Sequence, residues 1–80
     1  MRSYQYFPKA NVYFDPKEVN FTFFDAETNS WQTQKKISDS LKNLLDKNVV
    51  VTRAQPWTDN GRERMVAAVA LYAVPADFVE

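Results

Sequence analysis

Carboxylate side chains are the groups in this chain that could carry acid–base or metal chemistry. The sequence has ten Asp and Glu residues and neither histidine nor cysteine, so histidine-based and thiol chemistry are excluded and carboxylates are the best available acids. Turn residues of this type usually lie in solvent, and 80 residues leave little room for a cleft on the order of several hundred Å³. The acids near predicted turns are Asp15, Glu18, Asp25, Glu27, Asp59 and Glu63. We therefore expect a protein that is not an enzyme, with no catalytic residue, no metal site and no cofactor.

The composition also argues against several other kinds of site. A single glycine, Gly61, cannot form a glycine-rich phosphate loop, and the absence of cysteine excludes disulfides and zinc fingers. No apolar run reaches the roughly 18 residues that a membrane span requires, and the first residues lack the pattern of a signal peptide. From these features we expect a cytoplasmic protein that does not bind membranes.

Basic and aromatic residues together could form a surface for single-stranded nucleic acid. Residues 33–64 contain seven Lys and Arg against four Asp and Glu, and aromatic side chains on a sheet can stack on bases. The formal net charge of zero weakens this interpretation, because phosphate contacts usually dominate such binding. The candidate cations are Lys35, Lys36, Arg53 and Arg64, and the candidate stacking residues are Tyr4, Tyr6, Tyr13, Phe24 and Trp57.

A protein-binding surface is the alternative that the aromatic residues favour. Trp57 lies in the polar segment 56–63, between Arg53 and Arg62, and Trp and Arg are enriched at the centres of interfaces. The structural alternative, that Trp57 folds back onto the sheet, explains the same residue equally well. Trp31, just before a predicted helix, is expected to fill one end of the core.

The elements that must position these residues begin with strands. Ser3–Phe7 is rich in strand-forming residues, and residues 11–25 contain two alternating stretches joined by a turn at Asp15 and Pro16. In the second stretch Val19, Phe21 and Phe23 share one face. This period of two predicts a β-hairpin over residues 11–25.

A helix is predicted after the polar loop 26–30. Its apolar stripe has spacings of four, three and one, and consists of Ile37, Leu41, Leu44 and Leu45. Ser30 or Thr33 could cap its first turn, and Asn48 is a natural end.

Two further strands are predicted in the last third of the chain. Residues 48–55 are rich in β-branched side chains, and residues 56–63 contain Gly61 in a composition that suits a hairpin loop. Residues 64–74 have almost no polar side chain, which is typical of a strand buried on both faces. Their Met and Ala residues also favour a helix, so this alternative stays open. Residues 76–80 are expected to form a short tail.

Together these elements predict one α+β domain over residues 1–80. Its order is β-β-β-α-β-β, with a single antiparallel sheet of four to five strands and one helix packed on one face. If Val12, Phe14, Val19, Phe21 and Phe23 face that helix, the opposite face carries Tyr13, Phe24 and part of the run 65–74. An exposed patch of this kind is usually an interface. A second helix over that face, formed by residues 64–74, would remove this argument.

The sequence thus predicts a non-enzymatic protein–protein interaction module. Small cysteine-free domains of this kind suggest an inhibitor or accessory protein of a phage or mobile element that binds a host or partner protein. The partner could also be a second copy of the chain, because a homodimer would enlarge a small core. The residues expected to contact the partner are Trp57, Arg53, Arg62, Tyr13 and Phe24. Single-stranded nucleic-acid binding is the second hypothesis.

Overall fold

A computed structural model describes residues 2–73 of the chain. The expected tail 76–80 and the last residue of the run 64–74 lie outside these residues. The strands are β1 (Ser3–Phe7), β2 (Val12–Asp15), β3 (Asn20–Asp25), β4 (Ser30–Gln34) and β5 (Val49–Thr52). The helices are α1 (Asp39–Lys42) and α2 (Asn60–Tyr72), and a 3₁₀ turn (Pro56–Asp59) precedes α2.

The five strands form one antiparallel sheet in the order β4-β3-β2-β1-β5. Strands β1 to β4 follow one another as hairpins, and residues 35–48 then carry the chain from the β4 edge to the β5 edge. This arrangement confirms the predicted α+β class and the single antiparallel sheet of at most five strands. It also confirms the hairpin predicted over residues 11–25.

Each of the three hairpin loops has four residues and ends in the left-handed backbone region. The φ angles there are 57° at Asn11, 55° at Val19 and 54° at Asn29. Asparagine tolerates this conformation well, whereas a β-branched residue is strained in it. Two of the loops begin with proline, which fixes the φ angle suited to the first corner of a turn.

The segment predicted as a loop followed by a helix is corrected by the structure. Residues 30–34 form β4, which pairs with β3 from the register of Asp25 with Ser30 to that of Phe21 with Gln34. The helix is reduced to the single turn α1, whose N-cap Ser38 accepts a hydrogen bond from the backbone N–H of Leu41. Of the predicted apolar stripe, Ile37 is buried while Leu44 is 40% exposed.

The run 64–74 is also corrected, because residues 60–72 form the helix α2. Its Met, Ala and Leu residues favour helix, and Gly61 lies inside this helix without the positive φ of a tight hairpin turn. The helix ends at Ala73, which adopts φ 53° and donates its backbone N–H to the carbonyl of Val69.

The pairing register shows which sheet face α2 covers. Tyr6 pairs with Tyr13 and Tyr4 pairs with Val51, so these side chains share one face. They form one buried cluster with Ala67 of α2. Val12, Phe14, Phe21 and Phe23 share the opposite face, and Val19, expected with them, lies in the β2–β3 loop. The face that carries Tyr13 is covered by α2, so the sequence argument for an exposed aromatic interface there does not hold.

Aromatic rings fill the core between the sheet and the C-terminal part of the described chain. Tyr13 is fully buried and contacts Trp31 and Trp57 edge to face, with ring centroids 5.9 Å apart in both cases. Tyr6 packs on the same ring at 4.4 Å. Such rings bury a large area per residue, which suits a small domain that has no disulfide.

Candidate functional site

The free edge of the sheet at β5 is the candidate functional site. Among residues 2–73, β5 pairs with β1 alone. The N–H of Arg53 donates to the carbonyl of Arg2 at 3.0 Å, so this opposed pair is a hydrogen-bonded one. Hydrogen bonding alternates along an antiparallel pair, and Val50 and Thr52 therefore direct their N–H and C=O groups away from the sheet.

A groove of about 380 Å³ runs between this edge and α2. Its middle is apolar, and Val66 on its helix side is 52% exposed. Val50 also lines it and is 69% exposed, but it alternates with Val51, so its side chain lies on the sheet face opposite α2. The full lining consists of Val49, Val50, Val51, Thr52, Arg53, Arg62, Glu63, Val66, Ala67 and Ala70. The groove thus combines unpaired backbone groups with apolar side chains, which are the two features that an added strand uses.

Charged residues stand at one end of the groove. The Arg53 guanidinium lies 3.4 Å from the Asp59 carboxylate and 3.3 Å from that of Glu63, which joins the end of β5 to the start of α2. Arg62 is exposed and forms no ion pair within the part of the chain that the structure describes. It is available to an acidic group of a bound partner.

The start of α2 is held in place by a polar cluster under the sheet. Asn60 donates to Asn11 Oδ1 at 2.8 Å and to the Tyr13 hydroxyl at 3.1 Å, and the Tyr6 hydroxyl donates to Asn11 Oδ1 at 2.7 Å. Burial raises the pKa of Tyr6 to about 12, and it also raises the pKa of Tyr13, so both rings stay neutral. The cluster is structural and sets the angle of α2 to β5.

The other end of α2 is tied to the chain that precedes β5. The Tyr72 hydroxyl donates to Asp46 Oδ2 at 3.0 Å, and the Lys47 ammonium donates to the carbonyl of Leu71 at 3.5 Å. Because the end of β5 contacts the start of α2, these contacts make the helix run antiparallel to the strand. The position of α2 beside β5 is therefore held by polar contacts at both ends of the groove.

The residues predicted to bind a partner are only partly gathered at this site. Arg53 and Arg62 line the groove. Tyr13 is fully buried, contrary to the expectation that it lies on an open face, because α2 covers it. Phe24 is 43% exposed but stands on β3, three strand positions from β5. Trp57 is half-buried against Tyr4, with ring centroids 5.5 Å apart, as the structural alternative proposed.

The residues considered for nucleic acid do not form one surface. Tyr4 and Tyr6 are buried under α2 and cannot stack on bases. Lys35 follows β4 and donates to the carbonyl of Glu18, whereas Arg53 follows β5. These two strands are the opposite edges of the sheet, about 19 Å apart at the usual strand spacing. Lys36 and Arg64, the other two cations considered for nucleic-acid binding, are exposed.

One of the Asp and Glu residues near the predicted turns is not exposed to solvent. Asp15 is 3% exposed; its carboxylate accepts the backbone N–H groups of Lys17 and Glu18 and lies 2.6 Å from the Arg2 guanidinium. These bonds fix the β2–β3 turn. No group of three acidic, histidine or cysteine residues among those described could hold a metal ion, and no described helix is long and apolar enough to cross a membrane.

Comparison with protein-family models, with curated proteins and with solved structures gave no match for this chain. A functional inference therefore has to rest on the chain's own geometry.

Residues Val50 and Val66 are the part of the site that sequence reasoning missed. Val50 lies in the run 48–55, predicted as a β-branched strand, and Val66 lies in the run 64–74, predicted as a strand buried on both faces. The run Val49–Val51 carries a weak signal, since it has no polar face, but strand order depends on long-range pairing that no local pattern shows.

Proposed function

We propose that this protein is a non-enzymatic protein-binding module that docks an extended strand of a partner protein along β5. The observation that supports this proposal is the unprotected edge: Val50 and Thr52 offer outward backbone groups beside an apolar groove. By occupying a segment of its partner, such a module can act as an inhibitor or an accessory protein.

The contrast between the two edges of the sheet favours β5 as the docking strand. Proteins protect edge strands with charged residues, proline or bulges, because an open edge invites pairing with another chain. The β4 edge has the polar sequence Ser-Trp-Gln-Thr-Gln and is followed directly by Lys35 and Lys36. Strand β5 has the sequence Val-Val-Val-Thr with no charge or proline within it, and Arg53, which follows it, is paired with Asp59 and Glu63.

Selection of peptides tests the proposal. A phage-displayed library of random peptides is panned on the protein immobilised at low density, so that neighbouring copies do not meet. Selected peptides should have alternating apolar residues. The Val50→Pro variant removes one outward N–H without removing a bond to β1, and we expect it to weaken peptide binding about tenfold, the effect of one lost hydrogen bond.

The matched control is Val50→Ala, which shortens the same side chain but keeps the N–H. It should weaken binding less than Val50→Pro, while circular dichroism shows both variants folded. Equal binding by the wild type and Val50→Pro would contradict strand docking. Salt-dependent binding of an oligo-dT strand, with no peptide selected, would support the nucleic-acid hypothesis instead.

A further inference from the structure

The helix α2 is incompletely packed along the same edge that β5 leaves open. Of its 13 residues only Ala67 is fully buried, while Val66, which lines the groove beside β5, is 52% exposed. An amphipathic helix depends on packing of its apolar side for stability, and here part of that side faces solvent. Both layers of the fold, sheet and helix, therefore end in apolar surface at one boundary.

We propose that the occupant of this boundary is a second copy of the chain, which continues both layers across a two-fold axis. The inference rests on the proposed function, because it names the strand that docks on β5. The result is a ten-stranded antiparallel sheet with two α2 helices side by side on one face. A closed two-fold pair uses the same patch on both copies and leaves no free β5 edge.

The hydrogen-bond register of β5 is complementary to itself. The outward groups belong to Val50 and Thr52, which lie two residues apart. With the two-fold axis at Val51, Val50 of each copy opposes Thr52 of the other. Each opposed pair exchanges two N–H to C=O bonds, so every outward group of the two residues is satisfied.

The position of α2 agrees with this arrangement. Ala67 belongs to the buried cluster that includes Val51 of β5, Tyr4 of β1 and Tyr13 of β2. The groove between α2 and β5 lies on the side of α2 that is nearer the two-fold axis. The axis therefore turns the groove side of each α2 toward that of the other copy.

The residues that meet between the helices suit a close contact. Arg62, Val66 and Ala70 line the groove at intervals of four residues, so they share the side of α2 that faces the axis. Val66 and Ala70 are small and apolar. The two helices run antiparallel, which brings Arg62 toward the C-terminal turn of the other copy, where Asp46 accepts the Tyr72 hydroxyl. Because Lys47 is next to Asp46, it offsets part of the attraction between Arg62 and Asp46. The Arg62–Asp46 pairing therefore favours the antiparallel orientation of the two copies more than it adds to their affinity.

Sedimentation analysis with two valine variants tests the inference. Val66→Glu places two carboxylates beside the axis, and we expect loss of the dimer. Val69→Glu is the matched control, since it changes an exposed valine on the same helix that does not line the groove, and it should sediment as the wild type does. In mixed, differently labelled samples, nuclear Overhauser contacts should connect Val50 of one copy with Thr52 of the other.

The outcomes separate this inference from the proposed function. A species of twice the chain mass that is lost only in Val66→Glu, with the Val50–Thr52 contact, supports the second copy. A monomer at all concentrations that still binds selected peptides at β5 overturns the second copy and leaves strand docking standing. A monomer that binds no peptide at β5 overturns both. A dimer that persists in Val66→Glu overturns this interface.

Discussion

Val19 is the residue whose conformation fits its type least. It ends the β2–β3 loop at φ 55°, where the other two hairpin loops have asparagine, and it is 57% exposed. The left-handed region costs a residue with a Cβ about 1–2 kcal/mol, and asparagine suffers less because it bonds locally. We expect Val19→Asn to raise the free energy of unfolding by about 1 kcal/mol, measured by urea denaturation.

The reciprocal substitution at Asn29 provides the control. This residue has φ 54° at the same place in the β3–β4 loop and is also exposed. Asn29→Val should lower the free energy of unfolding by a similar amount. If Val19→Asn proved neutral or destabilising while Asn29→Val proved neutral, the backbone angle would not be the cause of the difference.

Asp15 links the stability of the β2–β3 turn to pH. Burial raises the pKa of Asp15, but the N–H of Glu18, the Arg2 guanidinium and the N–H of Lys17 together outweigh it, so the pKa lies below its ordinary value. The folded protein then binds this proton more weakly than the unfolded chain does. The stabilisation is complete above the unfolded pKa of about 3.9 and is lost as the pH falls through the folded pKa.

Asp15→Asn tests this linkage. At neutral pH the substitution should cost about 1–2 kcal/mol, because bonds to a charged acceptor become bonds to a neutral one. The difference in unfolding free energy between the wild type and Asp15→Asn should shrink as the pH is lowered from 5 toward 3, about the window set by these pKa values. A difference that stays constant with pH would show that the carboxylate charge does not contribute.

At the scale of elements, the local sequence pattern predicts the hairpin over residues 11–25 but fails where pairing with another strand or intrinsic helix preference determines the structure. The alternation of Val19, Phe21 and Phe23 predicts β3 because each strand pairs with its neighbour in sequence. Residues 30–34 have no such alternation of apolar side chains and become a strand only because β3 offers them an edge. In residues 64–72 the intrinsic preference of Met and Ala for helix prevails over the absence of a polar face.

The attachment of α2 to the β1–β2 hairpin depends on Asn60. Its amide donates to Asn11 and Tyr13, which lie at least 47 positions away in sequence. Asn60→Ala removes one donor from each of these partly buried oxygens, although Asn11 keeps the Tyr6 hydroxyl, and the two lost bonds should cost about 1–3 kcal/mol of unfolding free energy. Asn60→Asp should cost more, because it replaces the donor with a carboxylate that faces the Asn11 oxygen.

A double-mutant cycle with Asn11→Ala isolates the bond between the two asparagines. The two single changes and the double change are measured by urea unfolding, and the double variant should lose less than the sum of the single losses. Strictly additive losses would mean that the two side chains act independently and that α2 is oriented by its other contacts.

At the scale of the whole molecule, the candidate site depends on strand order, which is the least local property of the fold. Strand β5 becomes an open edge because residues 35–48 carry the chain past β3, β2 and β1, so that β5 pairs on the far side of β1. The sequence singles out Arg53 and Arg62 as candidates, and both line the groove. It could not identify Val50 or Val66, since an apolar residue gives the same signal in a core strand and at an edge.

Tyr13 joins distant parts of the molecule into one cooperative unit. Trp31 comes from β4 at one edge and Trp57 from the turn before α2, yet both rings contact Tyr13 at 5.9 Å. Loss of either contact exposes the same core, so the β4 edge of the sheet and the segment around α2 should unfold together.

Single-tryptophan variants test this cooperativity. In Trp57→Phe the fluorescence of Trp31 should follow the same urea transition as far-ultraviolet circular dichroism, and in Trp31→Phe the fluorescence of Trp57 should do likewise. Phenylalanine keeps an aromatic ring at each position. The two variants need not be equally stable, but the two probes should coincide within each one. Separate midpoints in either variant would mean that α2 detaches from the sheet before the hairpins unfold, and that the contact between the layers is weaker than the aromatic cluster implies.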